Sequence, residues 1–120
     1  MWQMGPTILI VDDHRGFRAS ARDLLEADGF VVVGESDTGR GALADSARLR
    51  PDVVLLDIQL PDIDGFAVAE RLSMAAHAPA VIFISSRAEG DFGDRLTGVV
   101  NHGFVAKGDL SGLALANLLA

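Results

Sequence analysis

The sequence predicts an α/β protein, a doubly wound parallel sheet with helices on both faces. Three observations predict it. Four short apolar runs, Ile8-Leu9-Ile10-Val11, Val53-Val54-Leu55-Leu56, Val81-Ile82-Phe83-Ile84 and Phe104-Val105-Ala106, carry no polar residue. This is the pattern of strands buried on both faces. Each run ends in residues that can do chemistry: Asp12-Asp13, Asp57, Ser85-Ser86 and Lys107. Helix-length segments separate the strands, and strict strand–helix alternation specifies parallel pairing through right-handed crossovers.

Five strand–helix units follow in order. The first strand covers 7–11. A helix over 14–28 places Phe17, Ala21, Leu24 and Leu25 on one face, and Gly29 stops it. The second strand, 30–34, reads Phe-Val-Val-Val-Gly. The second helix, 38–49, has Thr38 as its N-cap and Pro51 just beyond its end. The third strand is 52–57. A loop with Pro61 and Gly65 leads into a helix over 65–74. Pro79 precedes the fourth strand, 80–84. The fourth helix falls within 88–101, a segment burdened by Gly90, Gly93 and Gly98, each costing about 1 kcal/mol in a helix interior. The fifth strand is 103–106 and the last helix 110–119. In that helix Leu110, Leu113, Ala114 and Leu118 are expected to cover the sheet. Leu115 and Leu119 are then left outward as an apolar interface stripe.

Composition narrows the function. One domain suits 120 residues, with 1–6 as an N-terminal extension, 7–120 as the domain and no output domain expected. There is no Cys, which rules out disulfides and thiolate metal sites. No run approaches the ~20 apolar residues of a membrane span, and no secretory pattern opens the chain, so a soluble, cytoplasmic domain is expected. The net charge of −7 disfavours direct contact with nucleic acid.

Parallel strands share one C-terminal edge, and ligands of open α/β sheets bind there. Asp12, Asp13 and Asp57 therefore converge with Ser85, its neighbour Ser86 and Lys107. Three clustered carboxylates call for a cation or a proton. Mg2+ with oxygen ligands fits that demand. Lys107 is the chain's one Lys beside nine Arg, which points to a need for a compact ammonium as a point charge. Ser85 or Ser86 offers a hydroxyl to a phosphoryl oxygen.

These pieces, in this order, resemble the receiver domains of two-component response regulators. The matching residues are Ile10-Val11-Asp12-Asp13, Asp57, Pro61, Gly65, Ser85 and Gly103-Phe104-Val105-Ala106-Lys107. Spacings agree: 44 residues from Asp13 to Asp57, 28 to Ser85 and 22 more to Lys107. The resemblance implies a flavodoxin-like five-stranded sheet of order 2-1-3-4-5, for which a receiver is one of the standard examples. It implies that Asp57 accepts a phosphoryl group from a sensor histidine kinase. It further implies that Asp12, Asp13, Asp57 and the Gln59 carbonyl hold Mg2+, and that Lys107 pairs with the phosphoryl group. Ser85 and Phe104 become the switch residues, and Gln59 and Arg87 tune dephosphorylation. Such a domain is a phosphoacceptor rather than an enzyme. Its phosphorylation controls a partner or output domain, and a homodimer through the last helix. Gly108 stands where many receivers have Pro after the Lys, so the turn there is expected to differ.

Three other readings compete. A haloacid-dehalogenase-type phosphatase uses a similar residue set but wants a second Asp two positions after the nucleophile, where this chain has Gln59. An FMN binder wants a loop rich in Ser, Thr and Gly after the first strand, where this chain has Asp12-Asp13-His14. A receiver-like module that is never phosphorylated would not need the full residue set.

Overall fold

The computed structural model describes residues 5–120. Of the expected N-terminal extension, residues 1–4 lie outside the described residues. The elements are β1 (Thr7–Val11), α1 (Arg15–Ala27), β2 (Val31–Ser36), α2 (Gly39–Leu49), β3 (Val53–Asp57), α3 (Gly65–Ser73), β4 (Ala80–Ser85), a 3-10 segment (Glu89–Arg95), β5 (Gly103–Ala106) and α4 (Gly112–Leu119). The sheet has the order β2-β1-β3-β4-β5, and every pairing is parallel. The doubly wound fold expected from the sequence is the one observed.

Alternation along each strand sorts side chains onto two faces. Leu9, Val11, Val54, Leu56 and Phe83 pack under α2, α3 and Phe92. Ile8, Ile10, Val53, Leu55, Ile82 and Ile84 pack under α1 and α4. Both layers are shielded from water, which is why the strands read as unbroken apolar runs rather than as alternating ones. The second strand is longer than expected. A register shift between Ile8 and Leu9 leaves Val33 unpaired and carries β2 on to Ser36.

Thr38 caps α2 as the sequence suggests, and Asp64, not singled out there, caps α3. Thr38 Oγ1 accepts from the Gly41 amide at 2.9 Å, and Asp64 Oδ1 accepts from Ala67 at 3.0 Å. Both satisfy donors that a helix N-terminus leaves open.

Two expectations fail. The fourth helix does not form; in its place runs the 3-10 segment, interrupted at Gly93, whose φ of 56° and ψ of −134° are non-helical. Glycine content removes helix propensity there, and side chains hold the segment instead. Phe92 meets Phe66 at 6.1 Å and Phe104 at 6.0 Å between ring centroids. Arg95 pairs with Asp64 at 2.7 Å and lies 4.4 Å over the Phe66 ring.

The second failure is the phase of α4. Leu115 is 0% exposed, whereas Leu113, expected to cover the sheet, is 71% exposed. Leu119 is partly buried against the same core. An interface stripe of Leu115 and Leu119 therefore does not exist. The helix starts at Gly112, two residues later than expected, with Ser111 as its N-cap. The Gly112 amide donates to Asp28 at the end of α1 at 2.9 Å. A Cβ at that position would collide with the Asp28 carboxylate. The helix that starts there carries Leu115 inward. Leu24 of α1, also expected inside, sits at the rim at 38% exposure.

Candidate functional site

Asp12 follows β1 and is held by its backbone on two sides. Its amide donates to the Ser36 carbonyl at 3.0 Å, a contact that exists because β2 extends to Ser36. Its carbonyl accepts from Arg18 Nη1 at 2.6 Å. Arg18 Nε in turn donates to Glu35 at 3.1 Å, and Arg22 Nε donates to the other oxygen of Glu35 at 2.8 Å. The Arg22 hydrogen bond, opposed by partial burial and helped by Arg18, holds the Glu35 carboxyl below its ordinary value.

Asp57 ends β3 opposite Ile84. The loop beyond it is folded tightly back, with the Gly65 amide donating to the Ile58 carbonyl at 2.7 Å. A Cβ on Gly65 would lie 2.7 Å from Ile58 Cα and closer still to the Asp57 carbonyl, so only glycine permits this approach. The Gln59 amide donates to Asp57 Oδ1 at 3.0 Å, while the Gln59 side chain is exposed.

Lys107 follows β5 and reaches across the edge. Its Nζ lies 2.6 Å from Asp12 Oδ2 and 3.3 Å from Asp57 Oδ2. Burial opposes the charge on Lys107, but hydrogen bonding to Asp12 and the attraction of both carboxylates outweigh it. The ammonium titrates above its ordinary value. Burial pushes the Asp57 carboxyl up; repulsion from Asp12 adds to this, while the Gln59 amide and Lys107 oppose it. After Lys107 the chain makes one turn of 3-10 helix, Lys107–Asp109.

Ser85 is fully buried at the end of β4, opposite Ala106. Its Oγ accepts from the Arg87 amide at 3.0 Å. Ser86 is exposed, so burial separates the two serines that the sequence leaves as rivals. The Arg87 guanidinium stands over Phe92 at 5.7 Å and 3.7 Å from Asp91. Phe104 is partly buried and packs on Phe92.

Two neighbours of the site have no counterpart in the sequence reading of its chemistry. His14 Nδ1 lies 3.2 Å from Asp13 and 3.4 Å from Asp12. Donor atoms of Asp12, Asp13 and His14 lie within 4.8 Å of one another. Phe17, expected only as core, places its ring 4.8 Å from Lys107 Nζ. Its signal was its position in the first turn of α1, beside the strand edge.

The donors suit a hard divalent cation. Asp12 Oδ2 is fully buried, and the Lys107 ammonium lies 2.6 Å from it. Asp57 shares that same ammonium at 3.3 Å, so two buried carboxylates have one positive charge between them, and a second cation would neutralise the remainder. Asp13 is exposed beside it, so an ion has both an anchor and a way in. Among the described residues no helix is long and apolar enough to cross a membrane.

Residues 8–114 match the family described as the response regulator receiver domain. A candidate transcriptional regulator of Pseudomonas aeruginosa is 40% identical over 110 residues, 91% of this chain and 53% of the relative. The response regulator GacA of Pseudomonas viridiflava is 35% identical over 108 residues, covering 89% and 50%. This chain therefore spans about half the length of such curated relatives. Among solved structures, the receiver domain of a modulated diguanylate cyclase from Desulfovibrio desulfuricans has a TM-score of 0.82 at 34% identity, covering 96% of this chain and 90% of that one. With Asp12, Asp57, Ser85 and Lys107 gathered at one sheet edge and a family match over nearly the whole chain, the protein belongs to the response regulator receiver domain family.

Proposed function

We propose that this domain receives a phosphoryl group on Asp57 from the phosphohistidine of a sensor kinase. The observation that carries the reading is the single Lys107 ammonium set between two buried carboxylates, 2.6 Å from Asp12 and 3.3 Å from Asp57. Phosphoryl transfer asks a protein for positioning and charge neutralisation rather than for covalent chemistry of its own. An Asp57 oxygen attacks the phosphorus, the bond from phosphorus to the imidazole nitrogen breaks, and an acyl phosphate remains. Burial and the Gln59 amide hold Asp57 in place for this attack. Asp12, Asp13, Asp57 and the Gln59 carbonyl would hold Mg2+, which supplies positive charge to the phosphoryl oxygens.

Lys107 then exchanges its contact with Asp12 for the new phosphoryl oxygens. Ser85 Oγ, now accepting from the Arg87 amide, turns to donate to the same group. Phe104 follows and reshapes the surface of β5 and the 3-10 segment, a two-state element biased by one local charge. Gln59 and Arg87 flank the site and tune how long the phosphoryl group lasts. The relatives are about twice as long as this chain, so the signal passes to an output domain or partner.

Exposure to a small-molecule phosphodonor with Mg2+ tests the reading. Intact protein should gain one acid-labile phosphoryl group, and Asp57→Ala should gain none. Equal labelling of the two would overturn it.

A further inference from the structure

We propose that the cavity between the C-terminal ends of α2 and α3 binds a small amphipathic anion, at the opposite edge of the sheet from Asp57. The cavity measures about 290 Å³, near the lower end of small-ligand pockets. Arg50, Arg71, His77 and Ser46 line it together with the apolar Leu43 and Leu72. No carboxylate lines it, in a chain with 17 acidic residues.

The arginines are unusual in this protein. Arg18, Arg22, Arg48, Arg87 and Arg95 each have a carboxylate partner. Four of the nine arginines have none among the described residues, and two of those four, Arg50 and Arg71, share this one cavity. Cations at helix C-termini complement the macrodipole, which explains a positive charge at either position. It does not explain why two arginines without a carboxylate partner line one cavity together with Leu43 and Leu72. Guanidinium forks match carboxylate or phosphate oxygens in pairs, and the leucines supply a surface for an apolar body.

Arg50 adds a second observation. It is the one non-glycine residue among those described with positive φ, at φ 48° and ψ 57°. Glycine or asparagine is the usual choice where a helix ends this way. An arginine kept at a strained backbone position points to use of its side chain.

Phenylphosphonate is a suitable probe, because its carbon–phosphorus bond cannot donate a phosphoryl group to Asp57. Titration followed by amide chemical shifts should saturate and move Arg50, Arg71, Leu72 and His77. Benzyl alcohol should not saturate, and inorganic phosphate should bind more weakly than phenylphosphonate. Arg71→Gln and Arg50→Gly should each weaken phenylphosphonate binding, together by about tenfold or more. Arg50→Gly is the discriminating variant, since it relieves the backbone and should melt at the same or a higher temperature while losing affinity. Shifts confined to Asp12, Asp57 and Lys107 would overturn the proposal. So would unchanged affinity in both variants, or equal binding of benzyl alcohol.

Discussion

The Lys107 ammonium stands closer to Asp12, at 2.6 Å, than to Asp57, at 3.3 Å. The lysine thus begins on the carboxylate that would hold the metal, not on the one that would carry the phosphoryl group. On the proposed mechanism, a cation held at Asp12 would weaken that contact and leave Lys107 ready to move to the phosphoryl oxygens.

Removing the ammonium isolates that effect. Lys107→Met leaves Asp12 and Asp57 buried together without a counter-charge, and should cost about 2–3 kcal/mol in urea unfolding without Mg2+. Millimolar Mg2+ should restore more stability to this variant than to the wild type. Lys107→Arg should keep the fold but lose the phosphorylation-dependent amide shifts of β5, because a planar fork does not replace a point charge. A Met variant as stable as the wild type in metal-free buffer would deny the lysine this role.

The metal site makes its own prediction. A ligand at ten times its dissociation constant stabilises the folded state by about 1.4 kcal/mol, or about 5 °C in a domain of this size. Millimolar Mg2+ should raise the melting temperature by that order, and Asp13→Asn should remove the rise. Melting indifferent to Mg2+ in the wild type would count against the acidic cluster as a cation site.

Glu35 sets an acid limit on stability. Its folded-state carboxyl titrates below the ordinary 4.5 because Arg22 and Arg18 hold the charged form. A depressed carboxylate contributes fully above its unfolded value, and the contribution disappears as pH falls through the folded value. Glu35→Gln should therefore be less stable than the wild type by about 0.5–1 kcal/mol at pH 7, as befits partly exposed ion pairs. That gap should close below pH 4.5. A gap constant from pH 7 to pH 3 would show that the charge on Glu35 is not what matters.

Gly65 tests the loop that aims Asp57. Gly65→Ala forces a Cβ against Ile58 Cα and the Asp57 carbonyl, backbone atoms that cannot yield cheaply. The variant should lose about 1–3 kcal/mol and, where still folded, label more slowly than the wild type. Stability and labelling both unchanged would mean that the loop relaxes without moving Asp57.

Most of the site was legible because buried parallel strands leave little freedom. Asp12, Asp57, Ser85 and Lys107 end or follow their strands, and the topology alone brings those ends to one edge. Ser85 could be told from Ser86 only by burial, which a single sequence does not print. The phase of α4 was illegible for a plain reason: the helix carries no charge, so no polar face marks which side meets water. Its phase shows only in the packing, where Leu115 and Leu118 meet the core and Leu113 does not, while Asp28, 84 residues away, holds its first amide. The 3-10 segment was half legible, since its glycines argue against a helix while the aromatic contacts that replace the helix are tertiary. Arg18 and Arg22 stand one turn apart on α1, but nothing in the sequence singles out Glu35 as their shared partner, which meets them only once β2 has paired with β1.

The Asp28–Gly112 clasp has a kinetic side. An eight-residue helix is shorter than the roughly 12–15 residues an isolated helix needs in water, so α4 forms only against a docked α1 and a completed sheet. Contacts that close so long a stretch of chain tend to arrive late on the folding path, because the entropy of closure precedes any reward. Strengthening the clasp should then leave the rate of folding almost untouched and lengthen the lifetime of the folded molecule. The lifetime of the folded molecule, as distinct from its speed of assembly, is then where a stronger Asp28–Gly112 contact would be felt.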